Sequence, residues 1–368
     1  MPAAKKKSPV KVGIWGLGRA GNNMHADEIS RFPGEFEVVA GCDPVEERVK
    51  ILQSKFPQAR GYTDGGRFLA DPEMELVSIA VRSPQHADYC LRALEAGKIV
   101  FLEKPIAISI KGLEKLQQAV AQYPGRLFFR HNRRFEPCFN HIREIIRSGI
   151  LGEVYEIKLC RHGFEFRADW QTLKKCGGGQ LNNWGPHIID HALRLLESPV
   201  ESVWSDLKNV AALGDAEDHL KVIFRGRNGR VVDLEISGGV ALPGPVYTVY
   251  GTRGALVSQD GNDIQLKYLR PEMKKPASGA HEENPPLCGG FGGSVTPQWI
   301  RETVMADPDP AVGDALENQR IYHYLYRTIR HGEPFPVTPE EAFEVVKTTF
   351  QIKRQNPAFK GIEDEFGR

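Results

Sequence analysis

Over the first third of the chain, short runs of Val, Ile, Leu and Phe alternate with amphipathic stretches. Val10–Trp15, Phe36–Gly41, Leu76–Val81, Lys98–Leu102 and Leu127–Arg130 are the apolar runs. They show no strict two-residue alternation, which predicts strands buried on both faces. Between them, His86–Ala96 carries Ala87, Cys90, Leu91 and Leu94 at helical spacing. This order of elements predicts a parallel sheet flanked by helices.

The pattern changes after about Arg133. A helix over Pro137–Ser148, a strand over Val154–Leu159, a glycine-rich loop and a helix over Pro186–Glu197 lead into a series of strands. Those strands are Val200–Val210, His219–Phe224, Val231–Ile236, Tyr247–Tyr250, Ala255–Ser258 and Ile264–Leu269. Tight turns such as Arg227-Asn228-Gly229 and Asp260-Gly261-Asn262 suit hairpins, so a large, mostly antiparallel sheet is expected. Arg270–Gly293, rich in Pro, Gly and charge, reads as a long loop. Helices are expected over Pro297–Ala306 and Asp314–Arg330, and a last one begins at Thr338-Pro339, with Glu341 completing a capping box.

Charge narrows the function. The 368 residues carry 48 Lys plus Arg and 47 Asp plus Glu, a net charge of +1. A nucleic-acid binder needs a basic excess, so no nucleic-acid partner is expected. No apolar run is long enough to span a membrane, and no hydrophobic stretch follows the basic Lys5–Lys7 start, so the expected location is cytoplasmic. The six scattered cysteines, Cys42, Cys90, Cys138, Cys160, Cys176 and Cys288, read as free thiols. Glycine is abundant at 37 residues, and its placement carries the chemistry.

Gly16-Leu17-Gly18-Arg19-Ala20-Gly21 is a G-x-G-x-x-G between a strand and a helix over about Arg19–Phe32. The first glycine serves a tight turn, the second admits a pyrophosphate, and the third packs helix on strand, while the helix N-terminus favours the anion. Asp43, 22 residues beyond Gly21, ends the second strand and suits the ribose hydroxyls. A carboxylate repels a 2′-phosphate, so NAD is expected ahead of NADP, with Arg48 one turn beyond blunting the preference. The fold class is therefore α/β: an N-terminal Rossmann dinucleotide-binding domain over 1–130, then an α/β domain over 131–338 with a large open sheet. The helix at about 339–355 is expected to pack back on the first domain.

Glu103-Lys104-Pro105 follows the strand Lys98–Leu102, at the carboxyl edge where open α/β sheets bind ligands. Together with Gly16–Gly21, Asp43-Pro44, Asn132-Arg133-Arg134-Phe135, Pro137, Gly177-Gly178-Gly179, Asn183, Gly185, His187 and Asp190, it resembles the Gfo/Idh/MocA family over nearly the whole chain. The resemblance implies hydride transfer between NAD(P) and a carbon of a sugar, cyclic polyol or sugar derivative. It also implies homodimers or homotetramers joined through the second sheet. Lys104 matches the lysine at the reacting hydroxyl, and His187 the general acid/base. Ser83, His86 and Glu103 match cofactor-side positions, and Trp170 is placed near the cofactor cleft. His131, Arg161, His162 and Asp190 are candidate substrate contacts.

Two departures matter. Asn183 stands where the family most often has Asp, so the proton relay rests on Lys104 and His187, on another acid such as Asp190, or on neither. Val81-Arg82-Ser83 replaces a common Thr-Pro-Asn, leaving Arg82 open to cofactor, an anionic substrate or solvent. The alternatives to net oxidation are a glycosidase or epimerase that uses NAD with no net redox change, and an NAD-binding protein with weak catalysis. His187 and His191, one helical turn apart with Asp190 between them, have a zinc-like spacing. No third ligand is indicated, so no metal is expected.

Overall fold

A computed structural model describes residues 8–275, 296–306 and 320–361. Six strands form the first sheet: β1 (Val10–Trp15), β2 (Phe36–Cys42), β3 (Arg60–Tyr62), β4 (Leu76–Ile79), β5 (Ile99–Leu102) and β6 (Leu127–Phe129). Their order is β3-β2-β1-β4-β5-β6, and the pairs are parallel. The order reverses between β1 and β4, which opens a crevice beyond their carboxyl ends. The helix leaving β1 is irregular: a π turn over Gly21–His25 precedes Ala26–Ser30.

The second sheet has eight strands: β7 (Val154–His162), β8 (Val200–Lys208), β9 (His219–Gly226), β10 (Val231–Ser237), β11 (Tyr247–Gly251), β12 (Gly254–Ser258), β13 (Asp263–Leu269) and β14 (Trp299–Met305). The order is β14-β13-β12-β11-β7-β10-β9-β8, antiparallel except for β7 with β10. The helix Gly185–Leu196 covers one face. Ile188, Ile189, Ala192 and Leu195 pack there with Leu220, Val222, Leu234 and Val249 of the strands.

One expected helix is a strand. Trp299–Met305 pairs along the β13 edge from Trp299↔Leu269 to Met305↔Asp263. Trp299, Arg301, Thr303 and Met305 point outward while Ile300 and Val304 pack on the core, a two-residue period that β-branched and aromatic residues favour. The short β3 and the π turn were not anticipated. Most of the expected Arg270–Gly293 loop, the start of the Asp314–Arg330 helix, the basic start and Cys288 lie outside the described residues; within them, Arg320–His331 is helical.

Two apolar cores meet at the terminal helix Pro339–Gln355. Phe343, Val346 and Phe350 join the core of the first sheet, whereas Val345 and Ile352 join that of the second. The Thr338–Glu341 capping box is present and starts this helix. Tyr322 of Arg320–His331 also enters the first core, where its hydroxyl meets His25 Nδ1 and Ser78 Oγ.

Behind the carboxyl edge lies a buried ionic triad. Arg130, with no exposed surface, donates to Glu103 Oε1 at 3.0 Å and to Glu28. Burial raises Glu28 above the usual carboxylate range. It opposes ionisation of Glu103 too, yet Arg130 and neighbouring cations bring Glu103 below that range. Removing the guanidinium strands two carboxylates. Arg130→Leu is therefore expected to cost about 3–5 kcal/mol, read from the midpoint of urea unfolding; a loss under about 1 kcal/mol would show the triad to be dispensable.

Candidate active site

The glycine loop is shaped by close approach. Gly16 has φ +92°, and a Cβ there would lie 2.6 Å from the Val81 nitrogen. A Cβ on Gly21 would come 2.0 Å from the Gly16 carbonyl oxygen. Around Gly18 a Cβ would meet nothing within 4 Å, so the loop is packed at both ends and open in its middle. That open middle fits a dinucleotide's pyrophosphate, with Arg19 exposed beside it and Ala20 at the helix start. Asp43 is only 3% exposed and braces the loop. Its Oδ2 accepts from the Leu17 N–H at 2.8 Å, and its Oδ1 from the Val45 N–H at 3.0 Å and Arg48 at 3.4 Å.

At the ends of β4 and β5, three of the expected cofactor-side groups, Ser83, His86 and Glu103, turn inward. Ser83 is buried at the start of a short helical turn. His86 bridges the two strand ends, Nδ1 to the Pro105 carbonyl at 2.7 Å and Nε2 to the Val81 carbonyl at 3.0 Å. Glu103 Oε2 accepts from the Lys104 N–H at 2.7 Å while Oε1 takes Arg130, so its carboxylate is engaged by the protein. Lys104 alone reaches across the cleft. Its Nζ donates to the Asn183 carbonyl at 2.9 Å and approaches Asn183 Oδ1 at 3.5 Å. Burial, assisted by Arg130, Arg133 and Arg19 against the pull of Glu103, lowers the ammonium to about 8.

His187 enters from the second sheet's covering helix, with Pro186 in its first turn. It is 6% exposed, and its Nδ1 has no hydrogen-bond partner. Burial and then the charges of Lys104 and Arg133 hold it well below the usual imidazole value, so the ring is a neutral proton acceptor at pH 7. His131 is similar: it is buried, both ring nitrogens lack partners, and burial lowers its basicity.

The remaining candidates are held by the protein. Asp190 takes the Arg134 guanidinium on both oxygens; burial opposes its ionisation, but Arg134 brings it down to about 2. It is buried, and both of its oxygens are paired with Arg134. Arg161 donates to Glu136 at 3.1 Å and to the Tyr247 hydroxyl at 3.0 Å, and His162 faces Glu235. His191 stacks on Phe139 at 3.8 Å and meets the Arg133 carbonyl at 2.8 Å. Trp170 is partly exposed under Arg82, whose guanidinium carbon sits 5.4 Å from the ring centroid.

Glu217 was not foreseen, because no motif spacing marks it. Its Oε1 accepts from the Leu181 N–H at 3.0 Å and its carbonyl from the Gln180 N–H at 2.9 Å. These bonds seat the short helix Gln180–Asn183, and so place Asn183 opposite Lys104. A Cβ on Gly179 would fall 2.1 Å from Glu217 Oε1, which accounts for the last glycine of the triplet.

This pairing of sheets, with a glycine loop and a lysine facing a helix-borne histidine, is the architecture of a dinucleotide-binding oxidoreductase. The chain belongs to the Gfo/Idh/MocA family. Residues 10–131 match the model of the oxidoreductase family NAD-binding Rossmann fold, and residues 139–257 the GFO/IDH/MocA C-terminal domain. The scyllo-inositol 2-dehydrogenase (NADP(+)) of Bacillus subtilis is 26% identical over 93% of this chain and 92% of its own. An uncharacterized oxidoreductase of Escherichia coli is 30% identical over 73% of this chain and 76% of its own. The crystal structure of an NAD-binding protein from Listeria innocua shares the fold with TM-score 0.77, at 23% identity and 98% coverage of both chains.

Burial pushes the Glu217 carboxyl from 4.5 up to about 7. A carboxyl raised on folding contributes stability that is complete below the unfolded value and lost as pH climbs through the folded one. Glu217→Gln, which keeps an acceptor for Leu181, is thus expected to gain stability relative to the parent between pH 5 and pH 8, by up to about 3 kcal/mol. Urea unfolding at both pH values reads this difference; a gain that does not change with pH would contradict it.

Proposed function

We propose that the protein transfers hydride between a nicotinamide cofactor and a hydroxyl-bearing carbon of a sugar, cyclic polyol or sugar derivative. One observation carries the reading: Lys104 meets Asn183, and its charge acts both on a neutral His187 and against Arg19 of the glycine loop. The inositol dehydrogenase named among the relatives supports the substrate class. When bound, the nicotinamide supplies the hydride acceptor or donor. Gly16–Gly21, Asp43 and Arg48 would hold its dinucleotide, with Ser83 and Trp170 along the cleft. His187 accepts the hydroxyl proton, and the Lys104 ammonium stabilises the developing alkoxide. Asn183 orients that ammonium through two oxygens and carries no proton itself.

Asp43 supports NAD ahead of NADP in this reading. Arg48 pairs with Asp43 and is half exposed, so it is also placed to meet a 2′-phosphate. We assign the first unit to the core of the six-stranded sheet, including Arg320–His331, and the second to the eight-stranded sheet, with the terminal helix shared. Self-association through the uncovered face of the second sheet belongs to the same proposal, since Trp204, Trp299 and Met305 are exposed there. No helix among the described residues is long and apolar enough to cross a membrane.

Absorbance at 340 nm with sugars, inositols and glycosides tests the reading. His187→Ala and Lys104→Ala are each expected to lose about 10²–10⁴ in turnover while retaining NADH fluorescence binding. Unchanged turnover in both variants would remove the assignment. Glycoside cleavage that requires NAD without accumulating NADH would instead establish redox-neutral use. The pH profile gives a second check: the charged lysine is the active form, so kcat/KM for oxidation is expected to fall as pH rises through about 8. A rate still rising beyond pH 9 would exclude Lys104 as the charged partner.

A further inference from the structure

The carboxylates on the elements that build this site are already engaged. Glu103 and Asp190 hold Arg130 and Arg134, Glu136 holds Arg133 and Arg161, and Glu217 caps a helix. Lys104 and Arg82 on this sheet edge have no carboxylate within ion-pair distance among the described residues, and neither has the exposed Arg19 of the glycine loop. Lys104 Nζ meets only the neutral oxygens of Asn183, and the Arg82 side chain rests on the face of Trp170 with no ion pair among the described residues. Ile79 of β4 and Leu102 of β5 are paired in register. Arg82 and Lys104 therefore stand three and two residues beyond one rung of the sheet, on neighbouring strand ends at its carboxyl edge.

We infer that the substrate itself supplies the missing negative charge: the site takes a polyhydroxy compound bearing an oxyanion, a carboxylate or a phosphate ester, with Arg82 holding that group while Lys104 faces the reacting hydroxyl. The inference rests on the hydride-transfer reading above and adds the substrate's charge. A partly buried ammonium without a counter-ion is costly, and an incoming anion relieves that cost where a neutral sugar does not. The exposed guanidinium, 5.4 Å from the indole centroid, leaves its planar set of donors open to a carboxylate or phosphate. Asn183 is central to this selectivity. A carboxylate there would neutralise Lys104 and repel an anionic substrate, whereas the amide keeps the lysine's hydrogen bonds and leaves its charge free.

The test compares matched compounds: D-glucose and myo-inositol as neutral polyols, D-gluconate and D-glucuronate as acids, and D-glucose 6-phosphate as an ester. Turnover is followed at 340 nm, and affinity for the NADH complex by calorimetry. An oxyanion compound is expected to exceed its neutral counterpart by roughly tenfold or more in kcat/KM or affinity, the yield of one charge-assisted hydrogen bond. The margin should shrink as salt is raised. The acid and ester arms separate carboxylate from phosphate recognition. Arg82→Ala should reduce the anion-to-neutral ratio, and Asn183→Asp should shift it toward neutral compounds, each by about tenfold. Equal or greater preference for neutral compounds in the parent, or an Asn183→Asp variant that changes both classes in step, overturns the inference. If NADH binds but no compound reacts, the hydride-transfer reading fails, and the calorimetric ratio still decides the charge preference.

Discussion

The hydrogen bond from Lys104 Nζ to Asn183 joins the carboxyl edge of one sheet to the helix seated on the other. Four buried polar residues hold its two ends. On the lysine side, Glu103 fixes the backbone N–H of the residue that follows it and is itself held by Arg130. His86 clamps the adjoining strand ends through two carbonyls. On the asparagine side, Glu217 seats the single helical turn that carries Asn183. Each anchor is buried and made of charged or strongly polar groups, so a misplaced partner leaves an unsatisfied group in a low dielectric.

The terminal helix explains how two sheets with separate cores keep this register. Its apolar residues enter both cores, and its first turn reaches the active-site layer. Glu341 accepts from Arg134, the same guanidinium that holds Asp190 on the His187 helix, and from Arg194 one turn further along that helix. A displacement of the terminal helix would thus disturb the seat of His187 through Asp190, although no residue of that helix faces the cleft chemistry. The coupling is a physical chain of ion pairs, and Arg134 is its shared member.

Much of this was legible in residue order. Five of the six strands of the first sheet followed from apolar runs, and the glycine loop from its strand and helix context. The capping box of the last helix was written in Thr338, Pro339 and Glu341. Trp299–Met305 was misread because a seven-residue segment offers too few positions to separate a period of two from one of 3.6, and its strand character depends on pairing with β13. At the candidate site, Lys104 and His187 were singled out from motif and resemblance. The inward turn of Glu103, the spent carboxylate of Asp190 and the pairing of Arg161 were not. Each is set by a partner at long sequence separation: Arg130 for Glu103, Arg134 for Asp190, and Glu136 with Tyr247 for Arg161. Glu217 was invisible for the same reason, its role being defined by where Gly179 and Leu181 fall.

The division of labour between arginine and lysine follows from their chemistry. Arg130, Arg134 and Arg161 are inside the protein, each spreading its donors over two or three partners. A guanidinium stays charged at any working pH and matches carboxylates in a fixed plane, which suits a permanent brace. Lys104 is the lysine at this edge, hydrogen-bonded only to the neutral oxygens of Asn183, and it is the type whose charge burial can move toward physiological pH. An arginine there would remain charged but would sit as a broad plane where a compact donor must face one oxygen. A carboxylate at 183 would hold the lysine charged yet consume that charge. The neutral amide avoids both outcomes: it fixes the direction of the ammonium and leaves its electrostatics to whatever enters the cleft.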